Sequence, residues 1–152
     1  MGRPIETEEL LTLVPHRGKM FLIDRIQDYD IDAWTVTSET KLSESNLYYD
    51  KNLGGMPNYV LFEFIAQTVS AITGIVTREK QLPVNMGFIL SVSSLHFSQP
   101  LVKAGQTVTV HAWRTGEAGA VYSFDARVSA DGGEIGGGTL TVMEFKKGES
   151  NG

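Results

Sequence analysis

Tyr59-Val60-Leu61-Phe62-Glu63-Phe64-Ile65-Ala66-Gln67-Thr68-Val69-Ser70-Ala71-Ile72-Thr73-Gly74-Ile75-Val76 is apolar on nearly every side when wound as a helix. A surface helix needs only one apolar stripe, so a helix of this kind has to be surrounded. Asn58 stands where an N-cap belongs and Leu82-Pro83 stops the helical pattern, which predicts a central helix over 58–80. At about 1.5 Å per residue it spans roughly 30 Å. Glu63, Gln67, Thr68, Ser70 and Thr73 interrupt the run, and a carboxylate at a bilayer centre is costly. The helix is therefore expected in a protein core and not in a membrane.

The chain on either side supplies strands to surround it. After the helix, residues 84–97, 105–114, 120–129 and 134–145 are β-rich, and Thr107-Val108-Thr109-Val110-His111-Ala112-Trp113 alternates as a strand with one wet face does. Asp131-Gly132-Gly133 predicts a hairpin turn, and Gly136-Gly137-Gly138 a bulge or a close backbone approach. Before the helix, residues 20–28 and 33–42 read as a hairpin around Asp28-Tyr29-Asp30. A short acidic helix is expected over 6–14, stopped by Pro15, and a frayed tail over 146–152. No repeat or linker divides the chain, so the expectation is one α+β domain over 1–152, a curved antiparallel sheet around one helix. The long connection over 43–57 invites a functional role.

Composition narrows the function. The chain has 152 residues, a formal net charge of −5 and no cysteine. An acidic balance without a basic stripe argues against nucleic acid as a partner. Without thiols there is no disulfide, no thiolate metal site and no cysteine nucleophile, which fits a reducing compartment. The first residues lack an apolar run, and a cytoplasmic location is expected.

Glu63 is the leading candidate for chemistry. Between Phe62 and Phe64 its carboxyl is desolvated unless a polar cleft reaches it, and an acid so placed can stay protonated and hand its proton to a departing hydroxyl. Gln67 follows one turn later on the same face. The pair could equally be two hydrogen-bonded groups at an interface. His16, in Leu13-Val14-Pro15-His16-Arg17, stands where the first helix ends, a place where histidine often serves only to cap carbonyls. His96 and His111 fall inside strands, where cross-strand packing is the default. The histidines lack metal-ligand spacing, the glycines at 136–138 lack the lysine and helix of a phosphate loop, and no Gly-x-Ser-x-Gly elbow is present. No metal is expected.

Three segments resemble the hotdog-fold 3-hydroxyacyl-[acyl carrier protein] dehydratases. Leu13-Val14-Pro15-His16-Arg17 followed by Met20-Phe21-Leu22-Ile23-Asp24-Arg25-Ile26 is similar to their N-terminal segment. Met56-Pro57-Asn58-Tyr59-Val60-Leu61-Phe62-Glu63-Phe64-Ile65-Ala66-Gln67 resembles their central-helix motif, in which the glutamate is catalytic. Leu95-His96-Phe97-Ser98-Gln99-Pro100-Leu101-Val102-Lys103-Ala104-Gly105-Gln106 matches the rhythm of a later strand-turn segment. The fatty-acid enzymes carry a catalytic histidine in a Gly-His-Phe-Pro-Gly loop, where this chain reads Tyr48-Tyr49-Asp50-Lys51-Asn52. Counting back from Glu63 sets Tyr49 at that place, and a phenol is a poor base near neutral pH. The aryl-polyene-type branch, which also lacks the loop and has a Pro-His and a Glu-x-x-Ala-Gln helix, is the closer resemblance.

The resemblance implies a hotdog fold and dehydration of a 3-hydroxyacyl thioester to the trans-2-enoyl thioester, in fatty-acid-like or aryl polyene synthesis. His16 is then the base and Glu63 the acid, and the amides of Asn58 and Tyr59 hold the charge on the thioester oxygen. Gln67 and Tyr49 would also meet the substrate, with room for its acyl chain beside Ala66, Ser70 and Ala71. No cofactor is implied. The thioester would arrive on an acyl carrier protein, with Arg17, Lys19, Arg78, Lys80 and Lys103 as candidates to receive its acidic surface. A homodimer, or a heterodimer with another hotdog chain, is expected. Two other activities share these features: a hotdog thioesterase, and a non-catalytic subunit that completes a partner's site.

Overall fold

A computed structural model describes residues 2–13, 21–81 and 85–146. In chain order the elements are strand β1 (Ile5–Glu6), helix α1 (Thr7–Leu10), and strands β2 (Arg25–Asp30), β3 (Thr35–Lys41) and β4 (Met56–Pro57). A 3-10 turn at Asn58–Val60 then leads into helix α2 (Leu61–Glu79). Strands β5 (Asn85–Phe97), β6 (Leu101–Val102), β7 (Thr107–Ala118), β8 (Val121–Ala130) and β9 (Gly133–Lys146) follow. Seven strands form one antiparallel sheet in the order β1-β2-β3-β7-β8-β9-β5, and β4 pairs separately with β6. The chain has the hotdog fold, with α2 as its central helix.

The sheet covers α2 on all sides but one. Leu61, Phe64, Ile72 and Ile75 are fully buried, and each such side chain contributes roughly 1.5–3 kcal/mol through removal of apolar area from water. The 3-10 turn and helix, Asn58–Glu79, are long and apolar enough to cross a membrane, yet 67% of their apolar window is buried here, which makes α2 a core helix. Its buried hydroxyl is satisfied within the fold: Thr68 donates to the Phe64 carbonyl at 2.7 Å and shares a 2.7 Å bond with Ser38 on β3. Complete enclosure, as the sequence predicts, is not what forms. One curved sheet leaves a stripe open at helical spacing, with Tyr59 and Phe62 exposed and Glu63, Ser70 and Thr73 half-buried.

Other boundaries also differ from those predicted. The expected helix over 6–14 is Thr7–Leu10; it starts late because Ile5 is buried and Ile5–Glu6 pair with Ile26 and Arg25 as an edge strand. The first hairpin turns after Asp30 instead of across 28–30. The Asp30 carboxylate accepts the N–H groups of Asp32 and Ala33 at 3.0 and 3.1 Å, which fixes the turn there. Asn58 does not cap the helix: it lies inside the 3-10 turn, and its N–H donates to the Pro100 carbonyl at 3.0 Å. Pro15, Leu82-Pro83 and the tail over 147–152 lie outside the described residues.

The three glycines of β9 permit close approach. A Cβ at Gly136 would overlap the His96 carbonyl, and one at Gly137 the carbonyl of Ala126. Both obstacles are backbone and cannot swing aside. Gly137→Ala is therefore expected to cost about 1–3 kcal/mol and to lower Tm by roughly 3–10 °C in a thermal melt. Gly116→Ala is the matched control, since a Cβ there meets nothing within 4 Å.

Candidate active site

Glu63 lies in the first turn of α2 and faces outward from the core, half-buried. A cleft with a mostly apolar lining reaches it. Tyr48 and Asp50 from the long connection, Pro57, Tyr59 and Val60 from the helix start, and Phe62 line that cleft with Glu63, and its volume is about 300 Å³. The connection is held in place locally. The carboxylate of Asp50 accepts the N–H groups of Asn52 and Leu53, while its backbone pairs with Gly55 across a turn in which Gly54 takes a positive φ of 76°. Behind it, β4 and β6 align Met56 with Val102 and Pro57 with Leu101.

Gln67 is fully buried one turn further along α2. Its amide nitrogen donates to Glu63 Oε1 at 3.3 Å, and its carbonyl oxygen accepts the N–H of Leu22 at 2.9 Å. It acts as a clamp between the carboxyl and the chain at Leu22, behind the cleft. On the other flank, Leu13 packs so closely on α2 that a Cβ at Gly74 would overlap its carbonyl. Both described flanks of residues 14–20 thus rest on the helix. His16, Arg17 and Lys19 themselves lie outside the described residues.

The remaining candidates fall in different places. Tyr49 is half-buried against the core, whereas its neighbour Tyr48 lines the cleft together with Tyr59. The N–H of Asn58 is taken by Pro100, which leaves the Tyr59 amide of the two expected oxyanion donors. His96 is exposed on β5 and donates to the Ser94 carbonyl at 2.9 Å. His111 sits on the outer face of the sheet, bonded to Thr37 at 2.8 Å, and burial followed by the nearby Arg127 guanidinium pushes its pKa down. Neither lines the cleft. Ala71 is buried in the core, whereas Ser70 lies on the open stripe. Among the described residues no cluster of three histidines or carboxylates could hold a metal.

Among the expected carrier-receiving cations, Arg78 is already engaged. It contacts Glu9 at 2.7 Å and Glu79 at 3.0 Å, and Arg3 reaches Glu9 from the other side. Hydrogen bonds from Arg3 and Arg78 hold the Glu9 carboxyl down to about 2. Lys80 and Lys103 are exposed and form no ion pair among the described residues. Sequence reasoning missed Tyr48, Asp50, Pro57, Val60 and Phe62 as cleft residues. The length of the connection over 43–57 pointed to the first three, but not to which side chain turns inward.

A family model for the ApeP-like dehydratases, described as ApeP dehydratase, matches residues 8–151. The chain belongs to the ApeP-like family. Among curated relatives of this ApeP-like chain, the 3-hydroxyacyl-[acyl-carrier-protein] dehydratase FabZ of Chlamydia pneumoniae is 28% identical over 117 residues, 74% of this chain and 75% of the relative. The FabZ of Rhizobium rhizogenes is 24% identical over 141 residues, 91% of this chain and 87% of the relative. Among solved structures, a chain of the dehydratase heterocomplex ApeI:P from Xenorhabdus doucetiae superposes with a TM-score of 0.82 at 17% identity, covering 91% of each chain. A hypothetical thioesterase from Streptococcus pneumoniae, solved with coenzyme A, gives a TM-score of 0.62 at 14% identity, covering 90% of this chain and 91% of that one. These two structures share the fold.

Proposed function

We propose that this ApeP-like chain removes water from a 3-hydroxyacyl thioester carried on an acyl carrier protein, giving the trans-2-enoyl thioester in fatty-acid-like or aryl polyene synthesis. The observation that carries this reading is Glu63: a dehydratase-family match over residues 8–151 brings with it a carboxyl that opens into a cleft at the start of the central helix. Dehydration needs a base for the C2 proton, donors for charge on the thioester oxygen, and an acid for the C3 hydroxyl. His16 is the base, on the strength of the Pro-His resemblance and of two flanking residues, Leu13 and Leu22, that rest on α2. Glu63 is the acid, oriented by Gln67. The Tyr59 amide donates to the thioester oxygen, helped by the positive end of the helix dipole.

A second hotdog subunit, a copy of this chain or a different one, covers the open stripe. In support, Tyr59 is 66% and Phe62 37% exposed, and among the described residues β5 ends the sheet with an unpaired edge that includes the exposed Leu95. A strand edge of 13 residues is a ready site for pairing. The neighbour from Xenorhabdus doucetiae is itself part of a heterocomplex. The carrier protein delivers the substrate in the cytoplasm.

One assay separates the candidate activities. Incubation with a carrier-bound 3-hydroxyacyl thioester is expected to yield enoyl thioester, seen as a mass loss of one water. Release of the free carrier thiol would mark a thioesterase instead. Turnover that begins only when a second hotdog chain is added would mark a subunit that completes a partner's site, a role suggested by Tyr49 at the place of the loop histidine.

A further inference from the structure

The thioester oxygen is short of donors. It gains negative charge when the C2 proton leaves, and sites that hold such charge aim preorganised donors at it. Of the two first-turn amides, the one at Asn58 is spent on Pro100 at 3.0 Å. Tyr48 lines the same cleft as the helix start. Its backbone N–H is held by the side-chain oxygen of Asn46 at 2.8 Å, and the next N–H, of Tyr49, by the Asn46 carbonyl at 3.1 Å. Asn46 thereby fixes both tyrosines, and Tyr48 is the one that lines the cleft. Its ring packs half-buried against the core, while its phenol oxygen makes no hydrogen bond among the described residues. The other carboxylate of the cleft, Asp50, has Oδ1 turned into its own loop, where it accepts two N–H groups.

We propose that Tyr48 is a catalytic residue whose phenol O–H donates to the thioester oxygen, a role that rests on the dehydratase reading above. A phenol is a neutral donor near neutral pH and a poor base, so Tyr48 holds charge without exchanging its proton. In the first half of the reaction the base takes the C2 proton. The C–H electron pair forms a double bond from C2 to the carbonyl carbon, and the carbonyl pair moves to oxygen, where Tyr48 and the Tyr59 amide receive it. In the second half that pair returns, the double bond shifts to C2–C3, and the C3–O bond breaks as the leaving oxygen takes the proton of Glu63. Water departs, and the base and Glu63 regain their starting protonation through solvent.

The test is Tyr48→Phe, which removes the hydroxyl and keeps the ring. Because that hydroxyl has no partner among the described residues, Tm should stay within about 2 °C of wild type. On a carrier-bound 3-hydroxyacyl thioester, kcat is expected to fall about 10- to 100-fold with KM nearly unchanged, as for loss of an interaction made in the transition state. Tyr29→Phe, on β2 and not among the residues that line the cleft, is expected to stay within about twofold of wild type. A Tyr48→Phe chain as active as wild type overturns the proposal, as does an equal loss in Tyr29→Phe. Wild-type chain that makes no enoyl product, with or without a second hotdog chain, overturns the dehydratase reading itself and this role with it.

Discussion

Glu63→Gln is expected to lower dehydration at least about a hundredfold while leaving the fold intact. The substitution keeps the size of the side chain and its carbonyl oxygen, so the 3.3 Å bond donated by Gln67 can still be made. Glu63 is half-buried at the cleft and not part of the packed core, so no cavity opens. What is lost is the proton that the leaving hydroxyl requires. Rate measurements on carrier-bound 3-hydroxyacyl thioester, alongside circular dichroism and a thermal melt, separate chemistry from folding. Full activity in a folded variant removes Glu63 from the mechanism. The combination with Tyr48→Phe is informative, since the two groups serve different oxygens and their losses are expected to differ in size.

The parts of the fold legible in the sequence are those decided locally. The central helix announces itself because an apolar run of that length satisfies no strand and no surface helix. The β8–β9 turn is equally plain, because Asp131 and Gly132 can take the positive φ values of 50° and 86° that a tight hairpin demands. The site residues on the helix follow from the same local signal, since Glu63 and Gln67 are one turn apart wherever that helix lies. What escapes is set by distant pairing. Ile5–Glu6 becomes a strand only because Ile26 is there to receive it, and two residues carry no periodicity. The amide of Asn58 looks available at a helix start, yet pairing of β4 with β6 brings the Pro100 carbonyl to it from 42 positions away in sequence. Counting along a motif likewise singles out Tyr49, but the turn set by Asn46 presents Tyr48 to the cleft.

His16→Ala is expected to lower activity as far as Glu63→Gln does, and mixing the two inactive chains tests whether one site draws on two subunits. The motive for a shared site is the uncovered stripe of α2, where Tyr59 and Phe62 are exposed beside Glu63. A symmetric partner would cover it, and a two-fold axis then sets each chain's covering surface against the other's Glu63. Equal amounts of the two variants, unfolded and refolded together, pair at random, so about half of the dimers are mixed. If each site takes His16 from one chain and Glu63 from the other, a mixed dimer has one intact site and one that lacks both groups. Total activity then returns to about a quarter of wild type. If both groups come from one chain, every site lacks one of them and the mixture stays as inactive as its components. Labelling the two variants with different tags shows that mixed dimers have formed. Inactivity in their presence sinks the shared site but leaves both residues in their catalytic roles, because each single variant would already have shown that its residue is needed.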